Sequence, residues 1–305
     1  MDKAELTLYI KSEAERLGFD ICGAAKAEAV PDEVTDAYNT WIAQERHGTM
    51  QYLQRNCEKR FDPTLLVEGC KSIVVVAMNY APQEAIDGIA AYAIGNDYHK
   101  VVKERLFMLL NSINTIYPIK GRAFCDSAPV LERYWAVKAG IGWIGKNRQL
   151  IIPGRGSCFF LGEIMIDAEL VYDTPYIANH CGSCRKCIEN CPTGALSENG
   201  FDARECLSYL TIEYRGDLPE NIGEKMKNSF YGCDCCLKAC PHNRFSTPNK
   251  TPEFKPCDAL RAMDIDKWKK LTKEQYDTLF KESAVERCGY EQLMRNIRAM
   301  QRDSE

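Results

Sequence analysis

Residues 4–17 repeat apolar side chains with the period of an amphipathic helix, and Gly18 supplies its stop. Two apolar runs too short for helices come next. F-D-I-C-G-A-A (19–25) reads as a strand. S-I-V-V-V-A-M-N-Y (72–80) reads as a second strand, apolar throughout and so expected to be buried on both faces. A helical pattern returns over Tyr98–Ile116. A-F-C-D-S-A-P (123–129) then runs from strand to loop, with Pro129 suited to the first turn of a helix ending near Gly140. Residues 149–152 and 157–166 flank P-G-R-G, a hairpin signal.

Past this alternating region the texture changes. Residues 173–179 read as a linker, and T-P-N-K-T-P-E-F-K-P (247–256) as a Pro-rich extended connection. The tail from Asp264 predicts two helices, one primed by a capping box of Thr272 and Gln275 and one over Tyr290–Arg302. The expected fold class is α+β. An N-terminal α/β sandwich (1–172) precedes a cysteine-rich unit (173–249) and a short helical C-terminal extension (250–305).

With 305 residues, 45% hydrophobic and 27% charged, the chain can build a sizeable core. The first residues lack a basic stretch followed by an apolar one, and no twin-arginine signal is present. No apolar run approaches the roughly 20 residues that span a bilayer. A cytoplasmic protein with no membrane association is therefore expected. No G-x-G-x-x-G follows a strand and no Walker lysine loop occurs, which removes the usual nucleotide signatures. A net charge of −4 neither demands nor excludes a nucleic-acid partner.

Compartment decides how to read the sixteen cysteines, because cytosolic thiols are kept reduced and dense clusters there bind metal more often than they pair. Cys181, Cys184, Cys187 and Cys191 follow C-x2-C-x2-C-x3-C with Pro192 next, the spacing of bacterial two-cluster ferredoxins. Cys233, Cys236 and Cys240 repeat C-x2-C-x3-C, again before proline. Zinc knuckles use paired C-x2-C or add histidines, a poorer match than iron–sulfur. Two cubes need eight ligands and these runs supply seven. The eighth is Cys206 or Cys235, and Cys206 is preferred because Cys235 adjoins Cys236 and neighbours seldom both reach one core. In two-cluster ferredoxins the fourth cysteine serves the other cube. The expected sets are Cys181, Cys184, Cys187 and Cys240 for the first [4Fe–4S] cluster, and Cys191, Cys206, Cys233 and Cys236 for the second.

The stretch D-S-A-P-V-L-E-R-Y-W-A-V-K-A-G-I-G-W-I-G-K-N (126–147), with G-S-C-F-F-L-G-E-I (156–164), resembles the tRNA epoxyqueuosine reductases. The resemblance extends through E-K-R-F-D-P-T-L-L, G-N-D-Y-H, the first cysteine run, C-L-S-Y-L-T-I-E and Y-G-C-D-C-C-L-K-A-C-P, in order over most of residues 1–245. Cys235 departs from the family pattern, and some members carry a C-terminal helical-repeat domain for which this chain is too short.

The resemblance implies a cobalamin between the two main units, reduced through the clusters by an external flavodoxin- or ferredoxin-like donor. It also implies a monomer acting on tRNA that carries epoxyqueuosine at the wobble position. No protein histidine is expected below the cobalt, since Asp97-Tyr98-His99 only half matches D-x-H-x-x-G. Asp126 matches the proposed proton donor, provided burial raises its pKa, with helix capping as the plainer alternative. Arg60, Tyr98, Asp126, Gly145, Lys146, Asn147, Leu161 and Ser208 match cobalamin contacts, and a glycine at 145 would let backbone approach a flat macrocycle. Trp135 and Trp143 are expected in the core. Lys267, Lys269, Lys270 and Lys273 around Trp268, and Arg295, Arg298 and Arg302, would suit tRNA phosphates or a solvated face equally. The rival readings are a ferredoxin-type electron carrier and a corrinoid reductive dehalogenase.

Overall fold

The computed structural model describes residues 1–302 of the chain. Helix α1 (Lys3–Arg16) starts behind a capping box in which Asp2 accepts from the Ala4 and Glu5 amides. Four strands build the main sheet. These are β1 (Ile21–Lys26), β2 (Ser72–Asn79), β3 (Gly121–Phe124) and, after the short β4 (Trp143–Ile144) and β5 (Leu150–Ile151), the long β6 (Phe159–Ile166). Their order is β1-β2-β6-β3, antiparallel at every step. Helices α2 (Asp32–Ala43), α3 (Cys57–Phe61) and α4 (Pro63–Leu66) join β1 to β2, α5 (Tyr98–Ile116) joins β2 to β3, and α6 (Glu132–Lys138) follows β3.

The period of two in β2 explains why it is apolar throughout. Val74, Val76 and Met78 meet α1 and α5, while Ile73, Val75 and Ala77 meet α6 from the other side. Each of the valine, isoleucine and methionine side chains among them contributes about 1.5–3 kcal/mol. Helix α5 lays Val101, Val102, Leu106, Leu109 and Ile113 on the sheet. Gly162 of β6 permits that approach, because a Cβ there would stand 2.8 Å from Leu106 Cδ1 and 2.9 Å from Val102 Cγ1.

Two local expectations are corrected. P-G-R-G closes a tight turn in which only Ile152 and Gly156 pair. β5 takes β4 as its partner instead, and β6 lies between β2 and β3. The chain diverges there because the Ser157 amide donates to Asn243 Oδ1 from the distant cysteine region, at 2.7 Å. Helix α6 starts at Glu132 and not at Pro129, since the turn beginning at Asp126 carries residues 127–131 past the end of β3.

Beyond β6 come α7 (Lys186–Glu189), the ribbon β7 (Leu196–Ser197) and β8 (Gly200–Phe201), α8 (Leu207–Ile212), α9 (Ile222–Met226) and α10 (Cys235–Lys238). The tail supplies α11 (Asp258–Arg261), α12 (Ile265–Lys269), α13 (Lys273–Leu279) and α14 (Tyr290–Arg302), with the expected capping box at Thr272. One apolar core joins this tail to residues 203–231 and to residues 86–94. Its anchor is Trp268, only 1% exposed, between Phe230 and Phe280 at ring distances of 5.1 and 6.1 Å. The result is a mixed α/β molecule. No helix among the described residues is long and apolar enough to cross a membrane.

Candidate active site and thiol centres

Asp126 sits two residues past β3 in the left-handed region, at φ 55°. Asp tolerates that conformation better than most residues. The turn swings its carboxylate over the start of α5, where Tyr98 OH donates to Oδ2 at 2.5 Å and His99 Nε2 donates to the same oxygen at 3.1 Å. His99 Nδ1 lies 2.7 Å from Asp97 Oδ1. Stacking fixes the rings, with Tyr98 parallel to Phe160 at 4.3 Å and against His99 at 4.0 Å.

These contacts set the charges. Burial pulls the His99 pKa down, but the flanking carboxylates of Asp126 and Asp97 outweigh it and carry the ring up to about 9. Burial alone would raise the Asp126 carboxyl, as the sequence reading required. The hydrogen bonds from His99 and Tyr98 win, and the net shift is downward. At neutral pH the transferable proton therefore rests on His99 Nε2, with Asp126 ionised beside it. Tyr98 stays a neutral phenol, pushed well up by burial and by the Asp126 charge.

The Asp126 amide donates to Glu132 Oε1, at 2.5 Å, in the first turn of α6. Arg133 of the same helix donates through Nη1 to the Arg148 carbonyl, also at 2.5 Å. Residues 145–149 form the turn between β4 and β5, closed by the Gly145 amide on the Gln149 carbonyl. From that turn Lys146 Nζ donates to the carbonyls of Gly182 and Cys184 at 2.9 and 3.1 Å. Hydrogen bonds and the short backbone stretches between them thus link the Asp126 turn to the first cysteine run.

Other expected contacts are placed as follows. Arg60 is buried, 7% exposed, with its guanidinium 5.5 Å from the Tyr38 ring and no partner for Nε among the described residues. Asn147 is buried too. Its Oδ1 accepts from the Gln149 amide, while Nδ2 has no partner among the described residues. Buried donors of this kind call for a bound acceptor, and both suit a ligand rich in amide or phosphate oxygens. A Cβ on Gly145 would fall 2.5 Å from Ile151 Cδ1 and 2.8 Å from Asn147 Oδ1, so a side chain there would displace neighbours of its own ribbon. Leu161 packs in the core on the α6 face of the sheet, and Ser208 is half-buried in the first turn of α8 beside Cys206. Trp135 and Trp143 are core residues. Arg295 bonds the carbonyls of Leu210, Tyr214 and Gly216, a structural role, whereas Arg298 and the lysines around Trp268 are exposed. The Arg302 side chain lies outside the described residues.

The thiols gather in two groups. Cys181, Cys184, Cys187 and Cys240 line one pocket together with Lys146, Asn147, His180 and His242. Cys206 lies within electrostatic reach of Cys191, Cys233 and Cys236. Cys235 bonds to Cys233, and this bond lowers its thiol to about 6. Burial pushes the Cys236 thiol up to about 12, a state that coordination to an iron core would reverse by ionising the sulfur. Among the described residues, no three His, Cys, Asp or Glu side chains converge on a single metal ion.

Sequence reasoning missed His99, Glu132 and Glu163. The first was visible in N-D-Y-H but was weighed only as a ligand below cobalt. Glu163, fully buried in the middle of an apolar strand, was the signal for the third.

Residues 180–243 match the family described as a 4Fe-4S double cluster binding domain, and residues 60–127 match that described as Epoxyqueuosine reductase QueG, DUF1730. The chain is 44% identical to the epoxyqueuosine reductase of Cyclobacterium marinum over 95% of each chain. A solved epoxyqueuosine reductase with a tRNA-Tyr epoxyqueuosine-modified stem loop superposes with a TM-score of 0.89 at 27% identity, covering 98% of this chain and 81% of that one. Another, from Bacillus subtilis, has its catalytic aspartate loop swung out of the active site. It superposes at 0.86 with 28% identity, over 98% and 82%.

Proposed function

Because the chain belongs to the epoxyqueuosine reductase family, we propose that it reduces the epoxide of epoxyqueuosine at the tRNA wobble position to the alkene of queuosine. The change consumes two electrons and two protons and releases water. The observation that carries this reading is a set of hydrogen bonds, linked by short stretches of backbone, from Asp126 through Glu132, Arg133 and Arg148 to Lys146 and the thiol pocket. It joins a proton-handling site to a site built for electron carriers.

Two [4Fe–4S] clusters would be held by Cys181, Cys184, Cys187 and Cys240, and by Cys191, Cys206, Cys233 and Cys236. Cobalamin, when bound, supplies the reducing metal centre that delivers electrons to the substrate. Arg60 and Asn147 would hold it through their unpartnered donors, with Tyr98, Asp126, Gly145, Lys146, Leu161 and Ser208 around it. The first 172 residues would house it, with the double-cluster unit over 173–249 and the helical extension beyond.

The chain's own residues manage protons. As the epoxide C–O bond breaks, negative charge grows on the departing oxygen and raises its demand for a proton. Asp126 relays one from His99 Nε2, Asp97 stabilises the charged ring until it is given up, and solvent supplies the second proton that lets the oxygen leave as water. Tyr98 keeps the carboxylate aimed. Exposed Lys269 and Lys270 would meet tRNA phosphates. The protein would act in the cytoplasm, as a monomer, with a flavodoxin- or ferredoxin-like donor.

Family membership favours this reading over a plain electron carrier or a dehalogenase. Anaerobic incubation of the reduced protein with epoxyqueuosine-containing tRNA, followed by mass analysis of the nucleosides, tests it. Loss of one oxygen from the modified nucleoside is expected. Recovery of epoxyqueuosine unchanged, from protein loaded with both cofactors, would overturn it.

A further inference from the structure

Glu163 is 0% exposed, and no donor reaches either of its carboxylate oxygens among the described residues. An unsatisfied carboxylate at the centre of a sheet is too costly to persist as an anion. Its position shows what it meets. In β6 it stands opposite Phe124, the last residue of β3, and the pleat sends it to the same face as Leu161 and Met165, the face covered by α6. There it lies within hydrogen-bonding reach of the Glu132 carboxyl. Two carboxylates only accept, so they bond to one another only when one of them carries a proton. Glu132 in turn takes the Asp126 amide, the donor that sits in the strained φ 55° turn.

We propose that Glu132 and Glu163 form a carboxyl latch, joined by a shared proton, that positions the Asp126 turn for proton delivery. The role of Asp126 rests on the function proposed above; the latch itself is a structural assertion that can be tested without substrate. Glu163 is the donor and Glu132 the acceptor that faces the turn. Neither touches substrate, and both are positioning residues.

The groups around the latch agree with this division. Glu132 is raised to about 7, first by burial and then by the Asp126 charge, while Arg133 and the Asp126 amide oppose the rise. Glu163 is raised well beyond the carboxylate range by burial, by Glu132 and by Asp126. The Cys125 thiol, buried next to the turn, is pushed up first by burial and then by the charges of Glu132, Glu163 and Asp126, with Lys103 of α5 opposing them. As pH rises through about 7, Glu132 becomes an anion while Glu163 keeps its proton. Its bond to the Asp126 amide then becomes charge-assisted and stronger. The latch is firmer above neutrality than below it.

The test is backbone amide exchange over residues 125–130, read by mass spectrometry on the cofactor-loaded protein without tRNA. The variants are Glu132→Ala, Glu132→Gln, Glu163→Met and Glu163→Gln. Losing a hydrogen bond to a charged group should speed exchange in Glu132→Ala and Glu163→Met at least about tenfold. Glu132→Gln keeps an acceptor for the Asp126 amide, and Glu163→Gln keeps a donor to Glu132, so both should exchange within about twofold of the parent. Turnover should follow, with kcat falling and KM for tRNA unchanged in the first pair. Glu132→Gln should recover kcat but lose its pH dependence near 7. Parental exchange in Glu132→Ala, or failure of Glu132→Gln to restore slow exchange, would overturn the latch. A parent protein with no reductase activity but with this exchange pattern would sink the proposed function and leave the latch standing.

Discussion

Replacing Asp97 by Asn perturbs the proton store without touching the residue that faces substrate. Asp97 does two things: its Oδ1 caps the His99 amide at 3.0 Å and faces His99 Nδ1 at 2.7 Å. The Asn oxygen can keep the cap while the charge disappears. His99 is carried from 6.5 to about 9 against opposing burial, a rise shared by Asp126 on one nitrogen and Asp97 on the other. The two carboxylates together supply more than this net rise, so losing one should return more than half of it and place His99 below about 8 in the variant. At 1.36 kcal/mol for each pH unit this is roughly 1.5 kcal/mol or more, and partial solvent exposure trims it toward about 1. The sign follows from the raised pKa. The stabilisation of the folded state by this ring is complete below about 6.5 and is lost as pH rises through about 9. Single-turnover rates measured from pH 6 to 10 should show an alkaline limb near 9 in the parent and below about 8 in Asp97→Asn. A limb that does not move, or a parent limb near 6.5, would refute the assignment of the proton to His99.

Other perturbations separate the parts. Asp126→Ala should retain both clusters and cobalamin yet lose turnover, checked by metal analysis beside the nucleoside assay; retained activity would remove Asp126 from the mechanism. Cys240→Ser should lower bound iron from about eight to about four per chain, whereas Cys235→Ser should leave it unchanged. Arg60→Met should weaken cobalamin binding about tenfold or more in an absorbance titration while the unfolding midpoint moves little, because Nε has no hydrogen-bond partner among the described residues and Met can keep the apolar contact with Tyr38. Trp268→Ala should cost about 3–5 kcal/mol in anaerobic denaturant unfolding, since the indole fills a closed space between Phe230 and Phe280.

What could be read from residue order was what depends on periodicity and spacing. The double-faced burial of β2 followed from an unbroken apolar run, and the meeting of Cys181, Cys184, Cys187 and Cys240 at one pocket agrees with their ferredoxin-like spacing. The unread parts depend on contacts between segments far apart in the chain. β6 left the P-G-R-G turn for the centre of the sheet because Asn243, 86 residues beyond Ser157, draws aside the segment that leads into it. Helix α6 started late because the Asp126 turn needed the intervening loop. The downward shift of Asp126 depends on Tyr98 and His99, 28 and 27 residues away, which no local pattern around Asp126 announces. Trp268 looked like the middle of a basic surface because its lysine neighbours are exposed, yet one short helix turns the indole inward and the amines outward.

The central claim is that electrons pass from the cysteine-held clusters to a cobalamin in the N-terminal half. Rapid mixing of the cobalamin-loaded protein with a reduced flavodoxin, followed by absorbance under anaerobic conditions, tests it most directly. Reduction of the bound cobalamin should keep pace with reduction of the clusters in the parent and stall in Cys240→Ser. Equal rates of cobalamin reduction in the two proteins would contradict the account.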